Sequence, residues 1–351
     1  MVPGDMAVVD GRVSESGLSG PSGSLIAIPG FVDVHVHGHG GVDFVNASLN
    51  DHRSIAAAMA TTGVCAYQPT LMSLPPDHMI DAIGQHPGRV QDGATVLGFH
   101  LEGPFLATSR PGAHDPGALS TPTIETLGRF LEGGSIDQVT LAPELDGAIA
   151  AIDYLVESGV TVSLGHSDAS ADTTLLALEH GASAFTHVFN AMKPLAHRDP
   201  GILGVALSQT DCYLTAIFDG VHLSREAAAI VIRCAEDRLI AITDGTSAVN
   251  ASTDPVVLGT TTVEVVDGAP RLPDGTIAGS VLTMDVAFRN LLSLGLDLPA
   301  AVRATSRTPA ALAGLNGTGV LLPGAPGDIV VLDDHYQVVR TFVDGVEVFH
   351  R

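Results

Sequence analysis

His35, His37, Glu102, His166, His187 and Asp244 each stand at or just beyond the end of a short apolar run. Imidazole and carboxylate together are the donor set that divalent zinc and iron prefer. The i, i+2 spacing of His35 and His37 places both on one face of an extended segment. Glu102, His166 and His187 come from three further segments and can fill further ligand positions. Asp244 has no sequence neighbour to neutralise it, which suits proton transfer from water acidified by a nearby cation. Asp219 and His222 follow another such run. Histidine is abundant, 15 residues against 16 Lys and Arg together. A single histidine in an apolar run is ordinarily a hydrogen-bonded core residue, and His100, turned away from the neighbours of Glu102, is read either that way or as a residue supporting the ligands from behind. The weight lies in the repetition of polar strand ends.

What must position these groups is a repeated βα unit. Apolar, β-branched runs at 31–36, 64–69, 95–101, 138–142, 160–164, 183–186, 212–218 and 238–243 predict eight strands. Ala/Leu-rich stretches at 53–62, 76–85, 123–131, 147–157, 171–179, 202–209, 225–235 and 280–294 predict the helices that follow them. Strict alternation predicts an α/β fold, a (β/α)8 TIM-type barrel whose C-terminal strand ends converge on one pocket. Segment 255–277 interrupts the last unit as a hairpin turning at Asp267-Gly268. Strands at 327–332 and 337–349, with a turn at Asp344-Gly345, and a strand at 6–13 predict a small β-sandwich domain. The expected division is 29–310 for the barrel, with 1–28 and 311–351 for the sandwich and a Gly/Ser/Pro linker at 21–24.

Bulk properties narrow the partners. Acidic residues outnumber basic ones 39 to 16, a formal charge of −23, which repels nucleic acid and anionic membrane. A locally positive pocket for an anionic small molecule remains compatible with that surface. Cys65, Cys212 and Cys234 show no metal-ligand spacing and no disulfide framework, as expected of a cytoplasmic protein. The first residues lack a basic region followed by an apolar run, so no signal peptide is expected. No stretch reaches the ~18 consecutive apolar residues that a membrane span needs.

Motifs then follow in order: PGFVDVHVHG (29–38), GFHLEGPFL (98–106), LGHSDA (164–169), THVFNAM (186–192), RDPG (198–201), DGVH (219–222), TDG (243–245) and GTIAGS (275–280). The opening motif resembles that of the amidohydrolase superfamily. The series, covering about nine-tenths of the chain, resembles the N-acetylglucosamine-6-phosphate deacetylases. The resemblance implies roles residue by residue. Glu102, His166 and His187 would hold the principal metal, with His35 and His37 available for a second ion. One or two divalent ions per subunit are implied, zinc first, with iron, cobalt, manganese or cadmium as alternatives. Asp244 would be the general acid/base, and His114 would stabilise the oxyanion. Ala113, His114, Asn190, Ala191, Arg198, His222, Ile277, Ala278 and Gly279 would bind an amino-sugar phosphate. Arg198 would reach in from the second subunit of a homodimer.

Two departures accompany the resemblance. Only 28 residues precede Pro29, fewer than the family pattern, which shortens the N-terminal part of the small domain. The superfamily's bridging carboxylated lysine has no counterpart, because Lys193 is the sole lysine and follows the sixth strand; Glu102 would take the bridging place. Rival readings keep the barrel and change the chemistry: a cyclic-amide hydrolase, a nucleobase deaminase, or a non-catalytic sugar-phosphate sensor. A sensor predicts loss of a ligand or of the acid/base, and neither is missing.

Overall fold

Eight apolar runs become eight parallel strands in the computed structural model, which describes residues 4–17, 23–90, 92–252 and 255–351. They are β1 (Phe31–Val36), β2 (Val64–Met72), β3 (Phe99–Glu102), β4 (Ile136–Leu141), β5 (Thr161–Leu164), β6 (Ala184–Phe185), β7 (Tyr213–Ile217) and β8 (Leu239–Ile242). Each strand pairs in parallel with the next in chain order. The helices that follow are α1 (Leu49–Thr61), α2 (Pro76–Ile83), α3 (Ile124–Gly133), α4 (Ala148–Glu157), α5 (Ala171–Glu179), α6 (Gly201–Ser208), α7 (Arg225–Ala235) and α8 (Met284–Ser293). Capping starts several of them where the sequence supplies a hydroxyl: Ser48 with Asp51 boxes α1, and Thr123, Ser170 and Ser224 cap α3, α5 and α7.

The expected strand at 95–101 is two pieces. Thr95–Val96 pairs with β2, and β3 begins at Phe99. Gly98 lies between them, its N–H donated to Asp137 Oδ2 at 2.7 Å. A Cβ at Gly98 would stand 2.3 Å from Asp137 Oδ1, so a side chain here would displace the carboxylate that holds this break.

The ring closes between β8 and β1 at the functional end. Val36 bridges Gly245, His37 N–H donates to Gly245 O at 2.7 Å, and Asp244 N–H donates to His35 O at 2.9 Å. Thr243 Oγ1 donates to the buried Asp33 Oδ2 at 2.5 Å. Burial pushes the Asp33 carboxyl up to about 6, against the opposing pull of its bonds to Thr243 and His35. This seam fixes Asp244 beside the His35–His37 pair.

The apolar core lies mainly between strands and helices; Val32 and Val34 pack in one cluster with Ile240, Ile242 and Ala287. Inside the barrel a polar layer sits beneath the strand ends. His100 Nε2 meets Thr140 Oγ1 at 2.7 Å, and Thr140 and Ser163 both reach Thr186 Oγ1, at 2.7 and 2.6 Å. His100 is therefore held in this polar layer directly behind the site, and it does not turn away from the neighbours of Glu102. Residues i and i+2 share a strand face, and His100 lies edge-on to His35 with ring centroids 4.6 Å apart.

Antiparallel sheets stand beside the barrel. Ile26–Pro29, Ile329–Leu332, Val338–Val343 and Val346–His350 form a four-stranded sheet, while Met6–Val9 pairs with Arg12–Ser16 in a separate two-stranded one. The expected strand at 6–13 is thus a hairpin of its own, turned at Asp10-Gly11, where both residues have positive φ. Pro21 and Ser22 of the expected linker lie outside the described residues. The insertion after β8 forms Val256–Leu258, Thr261–Val266 and Ala269–Arg271, with the predicted turn at Asp267-Gly268. Asp43, from the loop after β1, accepts the Gly259 N–H at 2.7 Å and ties this insertion to the pocket rim.

Candidate active site

The strand-end groups meet around one carboxylate. Glu102 Oε1 lies 2.8 Å from His187 Nε2 and 3.2 Å from His166 Nε2. Glu102 Oε2 lies 3.2 Å from His37 Nε2, 3.5 Å from His35 Nε2 and 3.3 Å from His114 Nε2. Asp244 Oδ1 completes the second half, 3.2 Å from His37 Nε2 and 3.4 Å from His35 Nε2. Each carboxylate oxygen of Glu102 thus serves one histidine pair. All seven residues are buried.

Within each pair the imidazoles point nitrogen to nitrogen. His35 Nε2 and His37 Nε2 are 3.1 Å apart, as are His166 Nε2 and His187 Nε2. His166 Nδ1 donates to Arg110 O at 3.0 Å, so its Nε2 presents a lone pair. Imidazole lone pairs converging with a carboxylate on a shared centre are what a divalent cation requires, and the donor set fits one.

The charges follow from this packing. Burial pushes the His37 imidazole down, but hydrogen bonds and charge from Asp244 and Glu102 outweigh it and lift His37 to about 10, so without a cation His37 holds a proton that a bound ion would displace. Burial would raise Asp244, yet the neighbouring His35 and His37 hold it well below the usual carboxylate range. Asp244 is therefore ionised near neutrality.

His114 is held as a neutral donor. The Ser73 N–H donates to its Nδ1 at 3.2 Å, leaving Nε2–H aimed at the site. Burial lowers its imidazole to about 4 against the pull of Glu102, so it is uncharged near neutrality. Ser73 was not foreseen from sequence; only its place one residue past the end of β2 could have drawn notice.

Three of the strand-end residues have left-handed backbones: His166 (φ 48°), His187 (φ 30°) and Asp244 (φ 49°). Such conformations cost a non-glycine residue about 1–3 kcal/mol each and persist where surrounding structure imposes them. Gly279 shares the trait (φ 64°), and a Cβ there would stand 2.8 Å from Asp244 O.

Above these groups opens a cavity of about 470 Å³, within the range of small-molecule sites. Ala113, His114, Asn190, Ala191, His222, Ile277 and Gly279 line it as expected. Ala278 does not; it is fully buried, its N–H donated to Pro270 O. Arg198 is exposed and lies outside the lining. Arg110, missed in the sequence, is the one Lys or Arg in the lining among the described residues. His222 Nδ1 pairs with Asp219 Oδ2 at 2.7 Å; burial lowers its imidazole, but Asp219 outweighs that and raises it above 6.5.

The model of the amidohydrolase family matches residues 26–348. An N-acetylglucosamine-6-phosphate deacetylase of Danio rerio is 38% identical over 93% of this chain and 85% of its own length. An N-acetylgalactosamine-6-phosphate deacetylase of Escherichia coli O157:H7 is 34% identical over 90% of this chain and 86% of its own. Among solved structures, an alanine-for-aspartate variant of the Mycobacterium smegmatis N-acetyl-D-glucosamine-6-phosphate deacetylase, in complex with N-acetyl-D-glucosamine 6-phosphate, superposes with a TM-score of 0.91. It is 32% identical, over 97% of this chain and 93% of that one.

Proposed function

The chain belongs to the amidohydrolase family, and from that premise we propose how its site works as a metal-dependent deacetylase. The reaction is hydrolysis of N-acetylglucosamine 6-phosphate to glucosamine 6-phosphate and acetate. The observation that carries this reading is the Glu102 carboxylate, one oxygen facing each histidine pair at the floor of the cavity.

Glu102, His166 and His187 would hold the principal ion, and His35 and His37 with Glu102 a second one. Zinc suits this imidazole–carboxylate set best. When bound, a divalent cation supplies Lewis acidity to the amide carbonyl and to water. Asp244 takes the water proton as oxygen attacks the acetyl carbonyl. His114 Nε2–H donates to the developing oxyanion. Protonated Asp244 then hands its proton to the glucosamine nitrogen, because an amine anion cannot leave.

The sugar phosphate is anchored by His222 and the backbone of Asn190 and Ala191, with Arg198 supplied by a second copy in a homodimer. Arg198→Ala is expected to raise KM for the phosphorylated substrate about tenfold to a hundredfold, matching a lost charge-assisted bond of about 1.5–3 kcal/mol. KM for unphosphorylated N-acetylglucosamine should hardly move; equal losses on both would defeat the assignment.

The pH dependence follows from His222. Its folded pKa lies above 6.5, so its charge-linked contribution is complete below that value and is lost as pH rises through the raised one. KM for the phosphorylated sugar is therefore expected to climb on the alkaline side. In Asp219→Asn the climb should begin at lower pH; an unshifted profile would count against the pairing.

The barrel at 29–310 would carry the whole site, and the segments at 1–28 and 311–351 would form the accessory β-domain. A cytoplasmic setting is supported by the free thiols of Cys65, Cys212 and Cys234. Among the described residues no helix is long and apolar enough to cross a membrane.

The direct test supplies metal-loaded protein with N-acetylglucosamine 6-phosphate, its galactosamine epimer and the unphosphorylated sugar. Acetate release, fastest from the first, supports the reading. Ammonia release from a nucleobase or ring opening of a cyclic amide, without acetate, would overturn it.

A further inference from the structure

Two carboxylates near the pocket rim take no part in the chemistry above. Glu144 follows β4 and Asp168 follows β5, two residues after His166. Glu144 Oε1 accepts the Asp168 N–H at 2.6 Å, and its Oε2 accepts the Ser167 hydroxyl at 2.7 Å. Asp168 Oδ1 accepts both Nε–H and Nη2–H of Arg110, at 2.9 and 2.7 Å. The Arg110 carbonyl, in turn, receives the Nδ1–H of His166 at 3.0 Å. The chain of contacts is closed, running from His166 through Arg110, Asp168 and Glu144 back to the segment that bears His166.

The consequence concerns the opposite edge of the imidazole. A carbonyl that holds Nδ1–H fixes both the ring tautomer and its orientation, leaving the Nε2 lone pair aimed at Glu102 and His187. The position of that carbonyl depends on what fastens the loop after β3. The Arg110 guanidinium fastens it to Asp168, and Glu144 fastens the Asp168 backbone. A second tie joins the same loops where Ala107 N–H donates to His166 O at 3.0 Å. Gly112 completes the fit, since a Cβ there would stand 3.0 Å from His166 Cε1. His166 itself holds a left-handed backbone, which isolated chain would not keep.

We propose that Glu144, Asp168 and Arg110 are positioning residues that keep His166 presented to the metal site. The proposal rests on the reading of His166 as a ligand. It predicts that breaking the chain loosens the ion on the His166–His187 side and leaves the His35–His37 side intact.

The test loads wild-type protein, Asp168→Ala, Glu144→Ala and His166→Ala with cobalt(II). Bound metal is then counted after dialysis, release to a chelator is timed, and the visible absorption of the bound cobalt is recorded. Asp168→Ala and Glu144→Ala are expected to release one ion about tenfold to a hundredfold faster than wild type, the range for losing a group that orients a ligand. Their cobalt spectra should change in the direction that His166→Ala changes them. Should an alanine variant not fold, Arg110→Met severs the same chain from its other end, and Asp168→Asn, which keeps an acceptor for Arg110, should restore slow release. Wild-type release and spectra in the Asp168 and Glu144 variants, with His166→Ala defective, would overturn the positioning role alone. Wild-type behaviour of His166→Ala would overturn the ligand assignment, and the positioning role with it.

Discussion

Glu102→Gln is expected to lose nearly all acetate release, by a factor of about a thousand or more, with a matching fall in bound metal. The substitution preserves shape but converts one of two acceptor oxygens into an amide NH2. Whichever way the amide turns, one histidine pair faces a donor where it now faces an oxygen 2.8 to 3.5 Å away. A cation contributes several kcal/mol of transition-state stabilisation in such a site, and each 1.36 kcal/mol is tenfold in rate. Metal analysis beside a turnover assay checks the point. Full metal content with normal turnover in Glu102→Gln would remove Glu102 from the centre of the account.

Asp244→Asn is expected to fail for a different reason. The amide cannot take a proton from water, nor return one to the leaving nitrogen, so both halves of the reaction suffer. General acid–base catalysis contributes about 10²–10⁴-fold, and a residue serving twice should stand at the upper end. KM should change little, because Asp244 lies at the cavity floor, away from the residues proposed to anchor the sugar phosphate. Asp244 N–H still donates to His35 O in the variant, so the barrel seam is kept. A kcat within tenfold of wild type would exclude Asp244 as the proton carrier.

Much of this site was readable before any coordinates, for a physical reason. A parallel barrel carries the end of every strand to the same rim, so a residue's position in its own strand predicts its neighbours in space. His35, His37, Glu102, His166, His187 and Asp244 all end strands in this way; the structure brings the four histidines against Glu102 and sets Asp244 against His35 and His37. The motif resemblance added His114, which no strand end announces, since it lies on the loop after β3.

What sequence reading missed lies in loop-to-loop pairing. Ser73 fixing the His114 tautomer, and Glu144 and Asp168 fixing Arg110, depend on where three separate loops fold, which periodicity does not encode. Arg110 carried one overlooked signal, a cation in an acidic chain four residues before His114. Strand alternation is enough to place His100 on the face of Glu102, against the expected orientation. Ala278 was assigned to the pocket with its neighbours; the left-handed turn at Gly279 instead leaves Ile277 and Gly279 on the wall and buries Ala278. The N-terminal segment misled because a short run of apolar residues does not reveal its pairing partner. Met6–Val9 closes on Arg12–Ser16, and the four-stranded sheet takes Ile26–Pro29 instead.

The central claim is that two histidine pairs and one shared carboxylate make a divalent-cation site on which amide hydrolysis depends. Stripping the purified protein with a chelator, titrating it with zinc in a calorimeter and following acetate from N-acetylglucosamine 6-phosphate at each addition tests it most directly. Acetate is expected to be negligible before the first addition, then to rise with zinc occupancy and saturate by two equivalents per chain. Undiminished acetate release from the stripped protein, or zinc binding that restores no acetate release, would contradict it.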